Sequence, residues 1–163
     1  MKILGIDPGL QVCGYAVISL DSGDIKLIEA GICKTSANTA LEKRLTQIQQ
    51  DINTLLEKYE PDCVAVEDLY SHYAHPKTAI LMGHARGVIL SMACSCGIEV
   101  KSFAATKIKK SLTGSGRATK LQMQRSIKSL LGLAELPAPA DVADAIAAAL
   151  CCANSLENNG VAR

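Results

Sequence analysis

The hydrophobic period of this chain changes near Thr39, and that change limits the folds open to it. Before it, strands are predicted at Lys2–Asp7, Gly14–Leu20 and Ile25–Lys34, joined by the turn residues typical of antiparallel hairpins. After it, apolar residues recur every three or four positions as far as Glu60, which predicts an amphipathic helix of about five turns. The two halves of the pattern therefore predict a hairpin region followed by a helical one.

Strands and helices alternate through the rest of the sequence. The run Cys63–Val66 is wholly apolar, as expected of a strand buried on both faces of a sheet. The remaining predicted elements are a helix at 77–96, a strand at 98–103, helices at 105–112 and 119–131, and a last helix from Asp141 to Ala153. This order predicts an α/β fold with a mixed sheet and helices on both of its faces. We expect a single domain at 1–155 and a frayed C-terminal tail at 156–163.

Composition excludes several classes of protein. Of the 163 residues 48% are hydrophobic and the net charge is +1, which argues against a disordered chain. No unbroken apolar run reaches the ~18 residues that span a bilayer, so no membrane association is expected. The seven cysteines lack the paired spacing of a zinc site. We expect them to be reduced and packed as small hydrophobic residues, which indicates a cytoplasmic protein.

Four carboxylates occupy positions where an acid is costly. Asp7 ends its strand directly after the apolar residues Ile3–Ile6, and Glu67 follows the buried run. Asp141 and Asp144 are three residues apart in an alanine-rich helix and so share one face. Burying an unpaired carboxylate costs several kcal/mol, and Lys and Arg are scarce in these segments. The four acids together predict a metal site.

The ligand type indicates which metal. Hard oxygen ligands without histidine or cysteine suit Mg²⁺ or Mn²⁺. Four carboxylates can hold two such ions about 3.5–4 Å apart, an arrangement that cleaves phosphodiester bonds. Singly, each acid has another explanation: Asp7 could open a turn, Asp141 could complement the helix dipole, and Glu67 could be solvated. Asp144, a turn inside the helix, fits such an explanation least well.

Positive charge is concentrated in one segment. Residues 101–134 contain eight Lys and Arg and no acid, whereas the rest of the chain has nine bases and sixteen acids. This segment surrounds the loop Gly114–Gly116 and predicts a surface that contacts phosphates, with a solvated helix face as the alternative. Tyr70, in a predicted loop after Glu67, could stack on unpaired bases or pack on the next helix. The small net charge therefore does not exclude a nucleic-acid partner.

Five short motifs follow one another along the chain: Gly5–Gly9, Gly14–Tyr15, Val64–Glu67, Gly83–Val88 and Asp141–Ala145. In this order they resemble the motifs of the RuvC family of bacterial Holliday-junction resolvases. The resemblance implies an RNase H-like fold, with a five-stranded mixed sheet flanked by helices. It also implies a Mg²⁺-dependent endonuclease that resolves four-way DNA junctions by paired symmetric nicks, in homologous recombination and DNA repair.

The same resemblance assigns roles to individual residues. It makes Asp7, Glu67, Asp141 and Asp144 the catalytic and metal-binding carboxylates, with two Mg²⁺ ions per site and Mn²⁺ able to replace them. It places DNA contacts at Lys109, Arg117, Lys120 and Tyr70. It further implies a homodimer, for which the apolar helix 77–96 is the candidate face, with core packing as the alternative. Whether a RuvA–RuvB branch-migration complex is a partner stays open.

Three other functions remain as alternatives. One is a related RNase H-like nuclease that processes ribosomal RNA precursors. Another is a sugar-kinase-like or actin-like ATPase, although such chains need two domains of this kind. The third is a junction-binding module without catalysis, which the complete set of four acids makes less attractive.

Overall fold

The five predicted strands form one mixed sheet in the order β3-β2-β1-β4-β5. The structure is a computed structural model that describes residues 1–69, 76–158 and 160. Its strands are β1 (Lys2–Asp7), β2 (Val12–Asp21), β3 (Asp24–Lys34), β4 (Cys63–Glu67) and β5 (Glu99–Phe103). β2 is antiparallel to β1 and β3, whereas β4 is parallel to β1 and β5. The prediction of a five-stranded mixed sheet is confirmed.

Helices cover both faces of this sheet. They are α1 (Leu41–Tyr59), α2 (Pro76–Ser95), α3 (Ala105–Thr113), α4 (Lys120–Leu131) and α5 (Ala140–Asn158). Side chains alternate along β1, so that Ile3 packs on the face covered by α3, α4 and α5, and Leu4 and Ile6 pack on the face covered by α1 and α2. Each of these fully buried side chains contributes roughly 1.5–3 kcal/mol to stability.

Helix α5 lies unusually close to the sheet. A Cβ atom on Gly5 of β1 would overlap the carbonyl oxygen of Ala145 and lie 2.8 Å from the Cβ of Ala149. A Cβ on Gly14 of β2 would likewise overlap the carbonyl oxygen of Asp141. The two glycines therefore permit the backbone of α5 to rest directly on β1 and β2. This contact brings the first turns of α5 beside the end of β1.

The predicted end of the last helix at Ala153 is wrong. Helix α5 continues to Asn158, and two of its residues beyond Ala153 make tertiary contacts. The Asn154 side-chain amide donates a hydrogen bond to Oγ of Ser111 in α3 at 3.0 Å, and Leu156 is buried. The single domain at 1–155 and its frayed tail stay predictions.

Helix α2 is less completely buried than α5. Ala85, Ile89 and Ala93 pack into the core, whereas Ile80 is 62% exposed. The segment Lys77–Ser95 is long and apolar enough to cross a membrane by length and composition, a feature that the search for unbroken apolar runs missed. Core helices of soluble proteins meet the same criterion, so this is weak evidence for a membrane span.

The seven cysteines fall into three groups by burial, and Cys33 alone is half-buried. Four are buried as predicted: Cys13, Cys63, Cys151 and Cys152. The prediction is wrong for Cys94 and Cys96, which are exposed because the end of α2 reaches the surface. No cysteine is in a disulfide within the part of the chain that the structure describes.

Candidate active site

Three of the predicted acids meet in one cleft. β1 and β4 are parallel neighbours and Ile6 is paired with Val66, so the next residues, Asp7 and Glu67, end their strands at the same edge of the sheet. Asp144, near the start of α5, faces them across the cleft. The side chains of these three acids line a cavity of about 400 Å³. A metal-ligating or phosphate-binding role requires such convergence of residues distant in sequence.

Asp141 stands beside this cleft and is not among its lining residues. Its backbone is held against Gly14, one turn of α5 before Asp144. Its negative charge still reaches the site, since it helps to raise the pKa of Asp7, after burial and the charges of Asp144 and Glu67.

Negative charge accumulates in the cleft. Burial, together with the carboxylates of Asp144, Glu67 and Asp141, raises the pKa of Asp7 to about 7. Burial also raises the pKa of Glu67 and that of Asp144, and neighbouring carboxylates add to both effects. Groups with such perturbed pKa values in a cleft are typical of functional sites. The site therefore favours any cation that can offset this charge.

Two lysines of the basic segment face these acids. Lys109 of α3 and Lys120 of α4 both line the cleft. The Lys120 Nζ lies 3.7 Å from Oδ2 of Asp144. Lys120 is placed there by a capping box: Thr119 Oγ1 accepts from the backbone N of Gln122 at 3.3 Å, and the Gln122 side chain accepts from the backbone N of Thr119 at 2.8 Å.

The other two predicted DNA contacts are not brought into the cleft. Arg117 is exposed in the loop between α3 and α4, and it is not among the cleft-lining residues. Its backbone N donates to Oγ of Ser115 at 3.3 Å, which helps to order this loop. Tyr70 lies outside the described residues, so its predicted role is not addressed by the structure.

The donors in the cleft fit divalent cations. All of the converging acids offer hard carboxylate oxygens, which are the ligands that Mg²⁺ and Mn²⁺ prefer. Across residues 1–69, 76–158 and 160, no group of three or more His, Cys, Asp or Glu side chains is arranged so that it could hold a metal ion. The chemistry of the donors therefore suits a divalent cation, whereas their arrangement does not form a complete coordination site.

Two neighbours of the acids were not predicted from the sequence. Asp68 also lines the cleft, next to Glu67. Arg86 of α2 forms an ion pair with it, with Nη2 3.1 Å from Oδ1. An arginine among the apolar residues of a predicted helix is a usable signal for such a contact, since a partly buried charge requires a partner.

Comparison with known proteins identifies the family. The sequence model of the family described as "Crossover junction endodeoxyribonuclease RuvC" matches residues 3–152. The chain belongs to the RuvC family. The RuvC of Rhodopirellula baltica is 47% identical over 98% of this chain and 89% of its own length. The RuvC of Heliobacterium modesticaldum is 42% identical over 96% of each chain. RuvC enzymes depend on divalent metal ions, which agrees with the donor set of the cleft.

Solved RuvC structures share this fold. Thermus thermophilus RuvC in complex with a Holliday junction substrate superposes with a TM-score of 0.91. It is 30% identical to this chain, and the match covers 100% of this chain and 98% of that one. A second Thermus thermophilus RuvC structure gives a TM-score of 0.89. The RNase H-like fold implied by the sequence motifs is confirmed.

Proposed function

We propose that this protein is a Mg²⁺-dependent endonuclease that resolves four-way DNA junctions by paired symmetric nicks, in homologous recombination and DNA repair. The observation that carries the proposal is the convergence of Asp7, Glu67 and Asp144, from three separate elements, on one cleft that also contains two lysines. Membership of the RuvC family supports it, since the name of that family describes a crossover junction endodeoxyribonuclease.

Four carboxylates would hold the metal. The charges of the other three acids all act on Asp7, which would contact both cations, while Glu67, Asp141 and Asp144 would complete their ligand sets. Two bound Mg²⁺ ions, or Mn²⁺ ions in their place, would supply an activated water and stabilise the leaving 3′ oxygen. The products would have 5′-phosphate and 3′-hydroxyl ends. Full ionisation of Asp7 would follow from cation binding, which reverses the effect of the neighbouring acids on its pKa.

The basic residues would orient the DNA. Lys109 and Lys120 lie in the cleft and would hold the phosphates on either side of the scissile bond. Exposed Arg117 would contact the backbone farther from the cleft. Tyr70 would stack on unpaired bases and help to open the crossover. The lysines would therefore orient the phosphates, and the acids would bind the metal.

Helix α2 supports the proposed homodimer. Its exposed side includes Ile80 and Gly87, and a Cβ atom on Gly87 would meet no atom within 4 Å. Leu81 and Val88 beside them are only partly buried. Packing against the same helix of a second copy would cover this apolar side, and a two-fold axis would place two clefts symmetrically for two symmetric cuts. We propose α2 as the dimer face.

Two further expectations complete the proposal. A junction-processing enzyme acts where the chromosome lies, so we place the protein in the cytoplasm. A RuvA–RuvB branch-migration complex would be a partner of this enzyme, since it would deliver the four-way junction that the enzyme cuts. Co-sedimentation of the purified proteins on a synthetic junction would test that association.

The metal assignment is tested by Asp7→Asn, which keeps the shape of the side chain and removes its charge. We expect junction binding without metal to be retained and cleavage in Mg²⁺ to fall by about 10³-fold or more, because several kcal/mol of charge stabilisation would be lost. Asp24→Asn, at the exposed first residue of β3, is the matched control and should cleave normally. Retained cleavage by Asp7→Asn would refute the assignment.

A further inference from the structure

Arg86 connects three elements beside the cleft. Its side chain extends from α2 and is only 19% exposed. The Nε group donates to the carbonyl oxygen of Glu67 at 3.3 Å, and Nη2 donates to Oδ1 of Asp68 at 3.1 Å. Nη2 also donates to Oγ of Ser102 in β5 at 2.8 Å. One guanidinium group therefore links α2 to the ends of β4 and β5.

The hydrogen bond from Arg86 to the Glu67 carbonyl lies at the end of β4, where only one neighbouring strand is still paired with it. Pairing between β1 and β4 ends at Val66, so Glu67 has a strand neighbour only on the β5 side. There the backbone N of Asp68 donates to the carbonyl oxygen of Phe103 at 2.9 Å. The hydrogen bond from Arg86 to the Glu67 carbonyl adds a second constraint on the residue that carries the metal-binding carboxylate.

The ion pair with Asp68 has a different consequence. Asp68 is a further acid in the cleft lining, its side chain is about half exposed, and it follows Glu67 directly. Unpaired, it could bind a cation away from the position set by the other acids, or repel the substrate phosphate. A guanidinium engages a carboxylate with a fixed geometry that a flexible lysine does not reproduce. Arg86 thus forms an ion pair with Asp68, the acid among the described cleft-lining residues that the proposed mechanism does not use.

We propose that Arg86 is a positioning residue, which fixes the strand end carrying Glu67 and withholds Asp68 from the metal-binding carboxylates. Because Arg86 belongs to α2, it also joins the proposed dimer face to the metal site. The inference rests on the proposed function, because it makes Arg86 a residue that positions the metal-binding carboxylates of that same cleft.

The test compares four proteins: the wild type, Arg86→Ala, Asp68→Asn and the double variant. Cleavage of a synthetic junction under single-turnover conditions gives the rate, and calorimetric titration with Mn²⁺ in the absence of DNA gives metal affinity. We expect Arg86→Ala to lower the cleavage rate and weaken Mn²⁺ binding, each by about 10- to 100-fold, as for other residues that orient metal ligands. Junction binding in EDTA should be unchanged.

The double variant separates the two effects of Arg86. If Asp68 interferes once it is released, adding Asp68→Asn to Arg86→Ala restores a large part of the lost rate and Mn²⁺ affinity, and Asp68→Asn alone has little effect. Arg86→Lys should not retain the wild-type rate and Mn²⁺ affinity, because a lysine ammonium cannot donate to three acceptors in a fixed plane. A double variant as impaired as Arg86→Ala would overturn the proposed restraint of Asp68.

A matched control excludes a general loss of structure. Arg44 also anchors a helix to the end of a strand, with Nε donating to Oγ1 of Thr35 at 2.9 Å, but it lies away from the cleft. Arg44→Ala should keep normal Mn²⁺ affinity and cleavage. Wild-type values for Arg86→Ala would overturn the inference. If the wild type itself fails to cut junctions, the proposed function is refuted, while the Mn²⁺ titration still tests the role of Arg86 independently.

Discussion

The two faces of the sheet are covered in different ways. On one face α5 lies directly on β1 and β2, with its residues from Ala145 to Ala153 buried and its backbone in contact with Gly5 and Gly14. On the other face α2 buries only part of its apolar surface and leaves Ile80 exposed. The closely packed helix α5 can therefore hold carboxylates in a fixed place, whereas the more exposed helix α2 has surface available for a second copy.

The largest effect expected from this difference is on stability. Gly5→Ala would force α5 away from β1 and should lower the free energy of unfolding by about 3 kcal/mol, at the upper end of overpacking effects. Urea denaturation followed by circular dichroism measures this. The matched control, Gly87→Ala in α2, meets no atom within 4 Å and should raise the stability of the monomer by about 0.5–1 kcal/mol. Equal changes in the free energy of unfolding for Gly5→Ala and Gly87→Ala would contradict the difference in packing between α5 and α2.

A smaller effect is expected at the other face. Ile80→Asp would place a charge on the exposed side of α2 and should weaken the proposed dimer by about 2 kcal/mol, or about 30-fold in Kd. Sedimentation velocity over a range of concentrations measures this, and thermal unfolding of the monomer should change little. Gln49→Asp, on the exposed side of α1, is the control and should leave the Kd unchanged. A dimer unaffected by Ile80→Asp would place the interface elsewhere.

The smallest effect concerns Asp7 in metal-free protein. Its pKa of about 7 lies above the ordinary 3.8, so its ionisation opposes folding; the penalty begins near pH 4, grows as pH rises and is complete above pH 7. Asp7→Asn removes the penalty. At pH 8 in EDTA we expect it to raise Tm by about 3 °C, corresponding to about 1 kcal/mol after solvent screening. At pH 4 the two proteins should melt alike. A lower Tm for Asp7→Asn at pH 8 would contradict the crowding of charge in the cleft.

Local sequence pattern was sufficient to predict the strands, the helices and the candidate acids. An acid at the end of an apolar strand, such as Asp7 or Glu67, is visible without a structure because its cost depends on its immediate neighbours. The basic segment was visible for the same reason, and the structure places its Lys109 and Lys120 in the cleft. The catalytic roles of the acids and of these lysines remain proposals.

Features that depend on distant contacts could not be predicted. Beyond Ala153, α5 makes a hydrogen bond between Asn154 and Ser111, which are 43 residues apart. The network of Arg86 depends on where α2 lies relative to the ends of β4 and β5. Periodicity indicates which side of a helix is apolar, but not which strand end it faces.

In the proposed function, the acids and lysines of one cleft cut four-way DNA junctions with the help of divalent metal ions. The most direct measurement maps the cuts in a synthetic junction, labelled on each strand in turn, with Mg²⁺ and with EDTA. We predict paired nicks at symmetric positions in Mg²⁺, with ligatable 5′-phosphate ends, and none in EDTA. Unpaired nicks at unrelated positions, or cutting that persists in EDTA, would contradict the account.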